Sequence, residues 1–421
     1  MTAHDVALPP APGRRPGLTR PFARLWTAYT VNVAGDEFYA LAVPLIVYEV
    51  GGTAGSMSLV FACSLLPQVV MGFLGGVLAD RNDRITALRR CYLVSALVLL
   101  CAVAAFSWTY VSVAGLAAVA LLVGGAAAVS AACFDSALPQ FVNPGLLSRA
   151  NAMTEASRTV CVVGGPAAAG FAVAHFAPQA TILVNSLTFV TAFALLARMK
   201  QPAPPAPAGP AAAADRAGHL RDLATGLRYL LSERRIRTGI LTSTLINLVF
   251  GAYEPMLVYR LRSDLGAGSG TVGVVFAVAG AVSLGVAVLL SWKAPSRAFL
   301  TVMGFSVVLQ GVSVASAGLL TSLAGVVAAQ TTLVSGMLVY TVYWRSLRQT
   351  VVPAELLGRV AGSCRSVAYC GSFVGSLVSA AVLDRFVEVD TALLIAGTAA
   401  VLTGAGVVGQ GAYERRRGEA A

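Results

Sequence analysis

Long runs of apolar residues recur along the chain and constrain its fold more strongly than any other feature. A backbone amide or carbonyl group without a partner in hydrocarbon costs several kcal/mol, so a run of about 20 apolar residues that crosses a bilayer must be helical. With 57% hydrophobic and 12% charged residues, the chain also lies outside the usual composition of soluble domains. The sequence therefore predicts an all-α polytopic membrane protein.

Twelve such runs predict twelve transmembrane helices. Their predicted spans are 24-49, 56-79, 88-110, 113-137, 149-174, 178-199, 236-259, 270-292, 298-318, 320-344, 357-383 and 390-412. The region 1-23 has no apolar core ahead of a small-residue cleavage site, so we expect no removable signal peptide.

The cationic residues predict how these helices are oriented. Of the 30 Lys and Arg residues, only Arg260, Arg262 and Arg385 fall on the side opposite the termini. Because short cationic loops resist translocation, both termini are expected in the cytoplasm, in a multi-pass protein of the cell membrane. The net charge of +11 then reflects topology and contact with the lipid bilayer, and we expect no nucleic-acid partner.

A proline-rich polar interruption separates two groups of six predicted helices. The expected divisions are a cytoplasmic N-terminal tail (1-23), a six-helix bundle (24-199), a cytoplasmic linker (200-235), a second six-helix bundle (236-412) and a cytoplasmic C-terminal tail (413-421).

The two groups also repeat in sequence. Asn32 matches Asn247 at an offset of 215, and the segment 44-48 resembles the segment 255-259. Repeated halves that meet around a mid-membrane site are how secondary transporters achieve alternating access. The repeat therefore favours two pseudo-symmetric bundles and a transport function.

The loop after the second predicted helix runs from Gly76 to Arg84 and contains Asp80 and Arg81. It resembles the motif A loop of the major facilitator superfamily, although a solvated turn with ordinary cationic residues would read similarly. The resemblance implies the major facilitator fold and a gating role for Gly76, Asp80, Arg81 and Arg84 at the cytoplasmic surface. Asp83 stands where the family usually has glycine, and this departure resembles the branch of macrolide and enterobactin exporters.

A small-residue segment of the fifth predicted helix contains Gly165, Pro166 and Gly170. It is similar to the motif C segment that the superfamily's antiporters carry, with Ala169 where a further glycine is expected. Close packing of small residues between helices is the alternative explanation.

Five acids fall inside the predicted helices: Asp36, Glu37, Asp135, Glu155 and Glu254. An ionised carboxylate at mid-bilayer costs at least about 2.5 kcal/mol on insertion scales, so each acid needs a partner, a wet cavity or a proton. Burial raises the pKa of a carboxyl group and contact with water or a cation lowers it, so an acid in an alternating cavity can load and release a proton.

Asp36 shares one helix face with Tyr29, Asn32 and Tyr39. This polar face favours a protonatable, cavity-facing role for Asp36, with a structural hydrogen bond as the alternative. Glu37 points about 100° away, so for Glu37 the structural role is favoured and proton coupling is the alternative.

The seventh predicted helix mirrors this arrangement with Asn247 and Glu254 on one stripe. Glu254 is a candidate for a second proton or for a cationic substrate, and a local hydrogen bond explains it equally well. Further candidates for the substrate cavity are Phe250, Tyr253, Gln330, Met337, Tyr340 and Tyr369. Glu155 and Arg158 have the spacing of an intrahelical ion pair.

Together these features predict a secondary active transporter that exports a hydrophobic or amphipathic small molecule, such as a drug, antibiotic, siderophore or other metabolite, by proton antiport. The alternatives are an importer or facilitator on the same fold, and a non-transporting membrane sensor or scaffold. The sequence contains no nucleophile–base set and no plausible zinc set, so we expect no enzyme activity, no cofactor and no metal. We expect a monomer.

Overall fold

The structure is a computed structural model that describes residues 19–79, 83–108, 111–199, 228–229, 232–292 and 298–417. Over these ranges the chain forms twelve long helices: α1 (Arg20–Glu49), α2 (Ala54–Ala79), α3 (Arg84–Trp108), α4 (Val113–Ala137), α5 (Leu147–His175), α6 (Pro178–Leu196), α7 (Arg234–Ser263), α8 (Ser269–Ser291), α9 (Phe299–Leu319), α10 (Leu323–Val351), α11 (Ala354–Val382) and α12 (Val389–Arg416). Among the described residues, eleven helices are long and apolar enough to cross a membrane, and α11 is not one of them. The predicted all-helical membrane fold is confirmed.

Several helices extend beyond their predicted spans. The first helix begins at Arg20 instead of 24, because Thr19 caps it by accepting a hydrogen bond from the Phe22 amide (3.2 Å). At the other end of the chain, α10 continues to Val351 and α12 to Arg416. Hydropathy marks only the part of a helix that lies in hydrocarbon, so it misses these polar extensions.

Successive helices run in opposite directions, so α1 begins and α12 ends at the same end of the molecule. We call this the terminal end and the opposite one the distal end. We call α1–α6 the first half and α7–α12 the second half. Across the halves, α2 packs against α11 and α5 packs against α8.

Polar contacts join the two halves at the distal end. The hydroxyl groups of Ser58 and Ser379 lie 3.0 Å apart. Glu49, the last residue of α1, forms an ion pair with Arg262 and accepts a hydrogen bond from Ser269 Oγ (3.2 Å). These contacts hold the end of α1 against the end of α7 and the start of α8.

Asp384 makes a further contact between the halves. It follows α11 with φ of 68°, a left-handed conformation that turns the chain sharply. Its carboxylate accepts hydrogen bonds from the hydroxyl of Thr53 and from the Gly55 amide (3.1 Å). It therefore occupies the start of α2, where helical amides lack partners of their own.

The contact between the halves at the terminal end is more exposed to solvent. Asp135 of α4 and Arg365 of α11 approach to 3.7 Å across the halves, yet their side chains stay 65% and 67% exposed. The distal end is thus closed by several direct contacts, while solvent reaches between the halves at the terminal end.

Within the second half, α9 and α12 pack along most of their lengths. Both carry glycines at seven-residue intervals: Gly304, Gly311 and Gly318 in α9, and Gly397, Gly404 and Gly411 in α12. A Cβ on Gly311 would lie 2.6 Å from the Gly397 carbonyl oxygen, and one on Gly404 would lie 2.8 Å from that of Gly304. The two backbones therefore approach as closely as small residues allow.

Substitution of Gly404 by Leu should destabilise the second half, because the new side chain meets the α9 backbone. We expect a loss of about 1–3 kcal/mol, seen as a lower melting temperature of the purified protein in detergent. Gly406→Leu is the matched control in the same helix, since a Cβ there meets no atom within 4 Å. Equal melting temperatures for the two variants would contradict the close α9–α12 contact.

The distal contact predicts a cross-link. In a cysteine-free background, Ser58→Cys combined with Ser379→Cys should form a disulfide on oxidation, because the two native hydroxyls lie 3.0 Å apart. Cleavage at a protease site inserted between the halves, followed by a non-reducing gel, detects the bond. The pair Ser58→Cys with Ser346→Cys joins a distal to a terminal position and should stay uncrosslinked. Failure of the first pair to react would contradict a closed distal end.

Candidate functional site

A cavity of about 360 Å³ lies between the two halves, and we call it the central cavity. It is lined by residues of α1, α2, α4, α7 and α11. Asp36 and Glu37 of the first half and Glu254 of the second half all line it. The structure thus brings together three carboxyl groups that lie far apart in the sequence.

Proline interrupts both helices that supply these acids. Pro44 in α1 and Pro255 in α7 lack an amide hydrogen, so the carbonyls of Ala40 and Gly251 lose their helical hydrogen bonds. The Gly251 carbonyl accepts a hydrogen bond from Ser376 Oγ of α11 instead (2.8 Å). Ala40 lines the central cavity.

The polar face of α1 is only partly in the cavity. Asp36 and Tyr39 line it, and Asn32 donates a hydrogen bond from Nδ2 to Asp36 Oδ2 (2.7 Å). Tyr29 lies outside it and stacks on Phe134 of α4, with ring centroids 4.0 Å apart. The Asn32 Oδ1 and the Tyr39 hydroxyl are buried without a hydrogen-bond partner.

Glu37 has different neighbours from Asp36, as expected from its position on the helix, but it lines the same cavity. It packs against α5 at Gly165, where a Cβ would lie 2.7 Å from Glu37 Cβ. The Arg158 guanidinium of α5 is close enough to act on Glu37 electrostatically. Although they point about 100° apart on α1, both neighbouring acids thus reach one cavity.

The other small residues of this α5 segment lie against the second half. A Cβ on Gly170 would lie 2.6 Å from the Ser269 carbonyl oxygen, and one on Gly273 of α8 would lie 2.6 Å from that of Pro166. Gly165 therefore packs on α1, whereas Pro166 and Gly170 form the contact between the halves.

A second cavity of about 710 Å³ lies in the second half, and we call it the arginine cavity. Asn247, Met337 and Tyr340 line it rather than the central cavity. Asn247 Nδ2 donates to the Ser243 carbonyl (2.8 Å), and the Tyr340 hydroxyl donates to the Gly239 carbonyl (2.7 Å). Tyr369, which was also predicted to line the substrate cavity, lines the central cavity.

Three predicted cavity residues, Phe250, Tyr253 and Gln330, line neither of these two cavities. The Tyr253 hydroxyl donates to Gln330 Oε1 (2.9 Å), and both residues are buried. Phe250 and Tyr253 border only a void of about 10 Å³. Their face of α7 is turned toward α9 and α10, where Tyr253 and Gln330 satisfy each other in the interior, while Phe250 is half-buried.

The loop that resembles motif A is described only in part. Asp80 and Arg81 lie outside the described residues, and Gly76 falls within α2. Arg84 begins α3 and donates from Nη1 to the Ser136 carbonyl at the end of α4 (2.8 Å). Asp83 accepts from the backbone amide of Ile85 (3.0 Å), so it caps α3. The gating role stays a prediction.

The predicted ion pair in α5 is present, with Arg158 Nη2 3.1 Å from Glu155 Oε1. Both side chains are about half exposed, so the pair contacts solvent and is not a buried bridge. Among the described residues, no group of three or more His, Cys, Asp or Glu side chains could hold a metal ion.

Sequence reasoning missed several polar residues of the cavities. Ser64 and Gln68 of α2 line the central cavity, and being uncharged they gave no signal in an apolar helix. Arg345 and Arg348 line the arginine cavity, although the sequence treated them as loop-side cations. Arg260, which lines neither cavity, is 4% exposed and forms ion pairs with Asp264 and Asp390 at the distal end; its spacing of four from Asp264 was the available signal.

Comparison with curated proteins finds relatives of similar length. The chain is 24% identical over 410 residues to the Uncharacterized MFS-type transporter YfiS of Bacillus subtilis (strain 168), covering 93% of this chain and 94% of that protein. It is 26% identical over 392 residues to the Multidrug efflux pump Tap of Mycobacterium tuberculosis (strain ATCC 25618 / H37Rv), covering 88% of each.

Solved structures share the fold at low identity. A bacterial homologue of the iron transporter ferroportin in an inward-facing state superposes with a TM-score of 0.71 at 16% identity, covering 93% of this chain and all of that one. The nucleoside transporter NupG gives 0.69 at 13% identity, with 93% and 99% coverage.

The sequence profile of the Major Facilitator Superfamily matches residues 25–376, which is most of the chain. That match, the full-length relatives and the shared fold agree with the twelve helices and the cavity between the halves. The chain therefore belongs to the Major Facilitator Superfamily and is a multi-pass membrane transporter, not an enzyme.

Proposed function

We propose that the protein exports a hydrophobic or amphipathic small molecule with a cationic group, in exchange for protons. The observation that carries this proposal is the presence of Asp36, Glu37 and Glu254 on the lining of one cavity between the halves. Carboxyl groups in a low-dielectric site bind a proton or a cation, and the two compete for the same oxygens. That competition is the chemical basis of antiport.

The transport cycle follows from the contacts between the halves. With the distal end closed, the cavity takes up the cationic molecule from the terminal end, and the carboxyl groups release their protons there. Closure of the terminal end and separation of the distal contacts of Glu49 and Asp384 then expose the cavity to the other side. Protons entering from that side displace the molecule and neutralise the carboxyls before the halves return.

The proposal places both termini in the cytoplasm of a cell-membrane protein that acts as a monomer. Its support is the bias of Lys and Arg toward the terminal end. We also propose that the halves move as the bundles 24-199 and 236-412, joined by the linker 200-235.

We assign the protein to the exporters of the family on two grounds. It is similar over 88% of its length to a multidrug efflux pump. Asp83 also matches the departure from motif A that resembles the macrolide and enterobactin branch. The fold alone does not separate exporters from importers, because transporters of several kinds share it.

Removal of one central carboxyl should uncouple transport. In everted vesicles with an acidic interior, Asp36→Asn and Glu254→Gln should each reduce the proton-driven accumulation of a lipophilic cationic dye by about tenfold or more, because the exchangeable proton site is lost. Glu388→Gln, outside the central cavity at the start of α12, is the control and should change accumulation less than about twofold. Full accumulation by both cavity variants would exclude these carboxyls from coupling.

The direction of transport has its own test. Everted vesicles containing the wild type should accumulate the dye when their interior is acidic, and a protonophore should abolish accumulation because it removes the driving gradient. Right-side-out vesicles with an acidic exterior should instead extrude preloaded dye. If right-side-out vesicles take up the dye against its gradient, the protein is an importer and the export proposal is wrong.

A further inference from the structure

The arginine cavity is large enough for a drug-sized group, since such sites usually measure about 300–1,000 Å³ and this one measures about 710 Å³. Its apolar wall includes Met337, Tyr340 and Trp344. The cavity belongs to α7, α10 and α11, so it is formed entirely by the second half.

Three guanidinium groups line this cavity, those of Arg345, Arg348 and Arg365, and no Asp or Glu is among its lining residues. Asp135 approaches Arg365 from the first half at 3.7 Å, but both of these side chains remain largely exposed. The cavity therefore carries an excess of positive charge, and like charges held together favour an anion between them.

Arg348 is the best-placed of the three to hold an anion. Its guanidinium carbon lies 5.1 Å from the centre of the Trp344 ring, which orients the group. Its guanidinium contacts the Cys364 thiol, but its Nε is buried and has no hydrogen-bond partner. A buried charged donor without an acceptor is costly, and a bound carboxylate or phosphate oxygen would supply one.

The two cavities are stacked along the same helices. Asn247 lines the arginine cavity and Glu254 lines the central cavity, and seven residues of helix separate them by about 10 Å on one face. In α11, Ala368 lines the first and Tyr369 the second. One elongated molecule could therefore reach both cavities.

We propose that the arginine cavity binds the anionic group of a zwitterionic amphipathic substrate whose cationic group reaches the central carboxyls. This inference rests on the proposed function, because it narrows the substrate class of the same transporter. The Arg348 guanidinium lies over the Trp344 ring, and Trp344 packs on Gly239 of α7, which is about 22 Å of helix from Glu254. The two sites have opposite charge, so they select molecules with an acidic group about 20 Å from a basic one. Trp344 and Tyr340 would contact the apolar body between the charges.

A matched pair of dyes tests this subsite. A rhodamine cation that carries a carboxylate at the end of a chain of about 20 Å is a zwitterion of the required length. Its methyl ester keeps the cation, the apolar rings and the chain but has no anion. The wild-type protein in nanodiscs should bind the carboxylate dye at least about tenfold more tightly than the ester, measured by fluorescence anisotropy, because charge-assisted hydrogen bonds are the strong ones.

Substitution of the guanidinium groups should affect one dye only. Arg345→Gln combined with Arg348→Gln should weaken binding of the carboxylate dye by about tenfold or more and leave the ester within about twofold. Arg417→Gln, which removes the same charge outside the cavity, should leave both affinities unchanged. An unchanged melting temperature of each variant shows that the fold is intact.

Three results would overturn the anion subsite: no binding of the carboxylate dye by the wild type, equal affinities for the two dyes, or equal losses for both dyes in the double variant. Different results would contradict the proposed function. If proton-driven accumulation of the ester persists in everted vesicles while the dyes bind equally, the transporter is an exporter without an anion subsite. If no proton-driven accumulation occurs but the carboxylate dye binds selectively, the subsite holds and antiport does not.

Discussion

A carboxylate surrounded by hydrocarbon must meet water, a cation or a proton, and the rest of this molecule depends on how that requirement is satisfied. Asp36 and Glu37 come from the first half and Glu254 from the second, so their shared cavity exists only where the halves meet. Contacts of Glu49 and Asp384 join the halves at the distal end, whereas the Asp135–Arg365 pair at the terminal end stays largely exposed. Closure and hydration of the site are therefore properties of the interface between the halves.

Glycine contacts serve two different purposes in this architecture. Gly311 and Gly404 bring α9 and α12 together within one half. Gly170 and Gly273 bring α5 and α8 together across the halves, where a transport cycle has to separate them. Because neither residue has a side chain, parting these backbones leaves no polar side-chain group without its partner. Small residues thus permit close helix contacts both within one half and between the two halves.

Much of this structure was predictable from sequence, and the failures have physical reasons. Long apolar runs determine helices in a membrane, and the cost of a buried charge identified Asp36 and Glu254. Helix-face geometry could not place Tyr253, because it gives directions around one helix and not which neighbour occupies each direction. Arg345 and Arg348 were missed because membrane topology already explains a cation near a helix end. The sequence pattern does not show that such a cation also lines a cavity.

The two prolines beside the central cavity have unequal surroundings. The carbonyl that Pro255 leaves free, on Gly251, accepts a hydrogen bond from Ser376, which ties that point of α7 to α11. The carbonyl that Pro44 leaves free, on Ala40, belongs to a residue on the cavity lining. A bend in α7 at this point strains the bond to α11, whereas within the described residues no hydrogen bond to another helix is recorded for the Ala40 carbonyl of α1. Of these two helices, α1 is therefore the easier to bend, and because Ala40 is a single turn from Asp36, a change of curvature there moves the Asp36 carboxyl group.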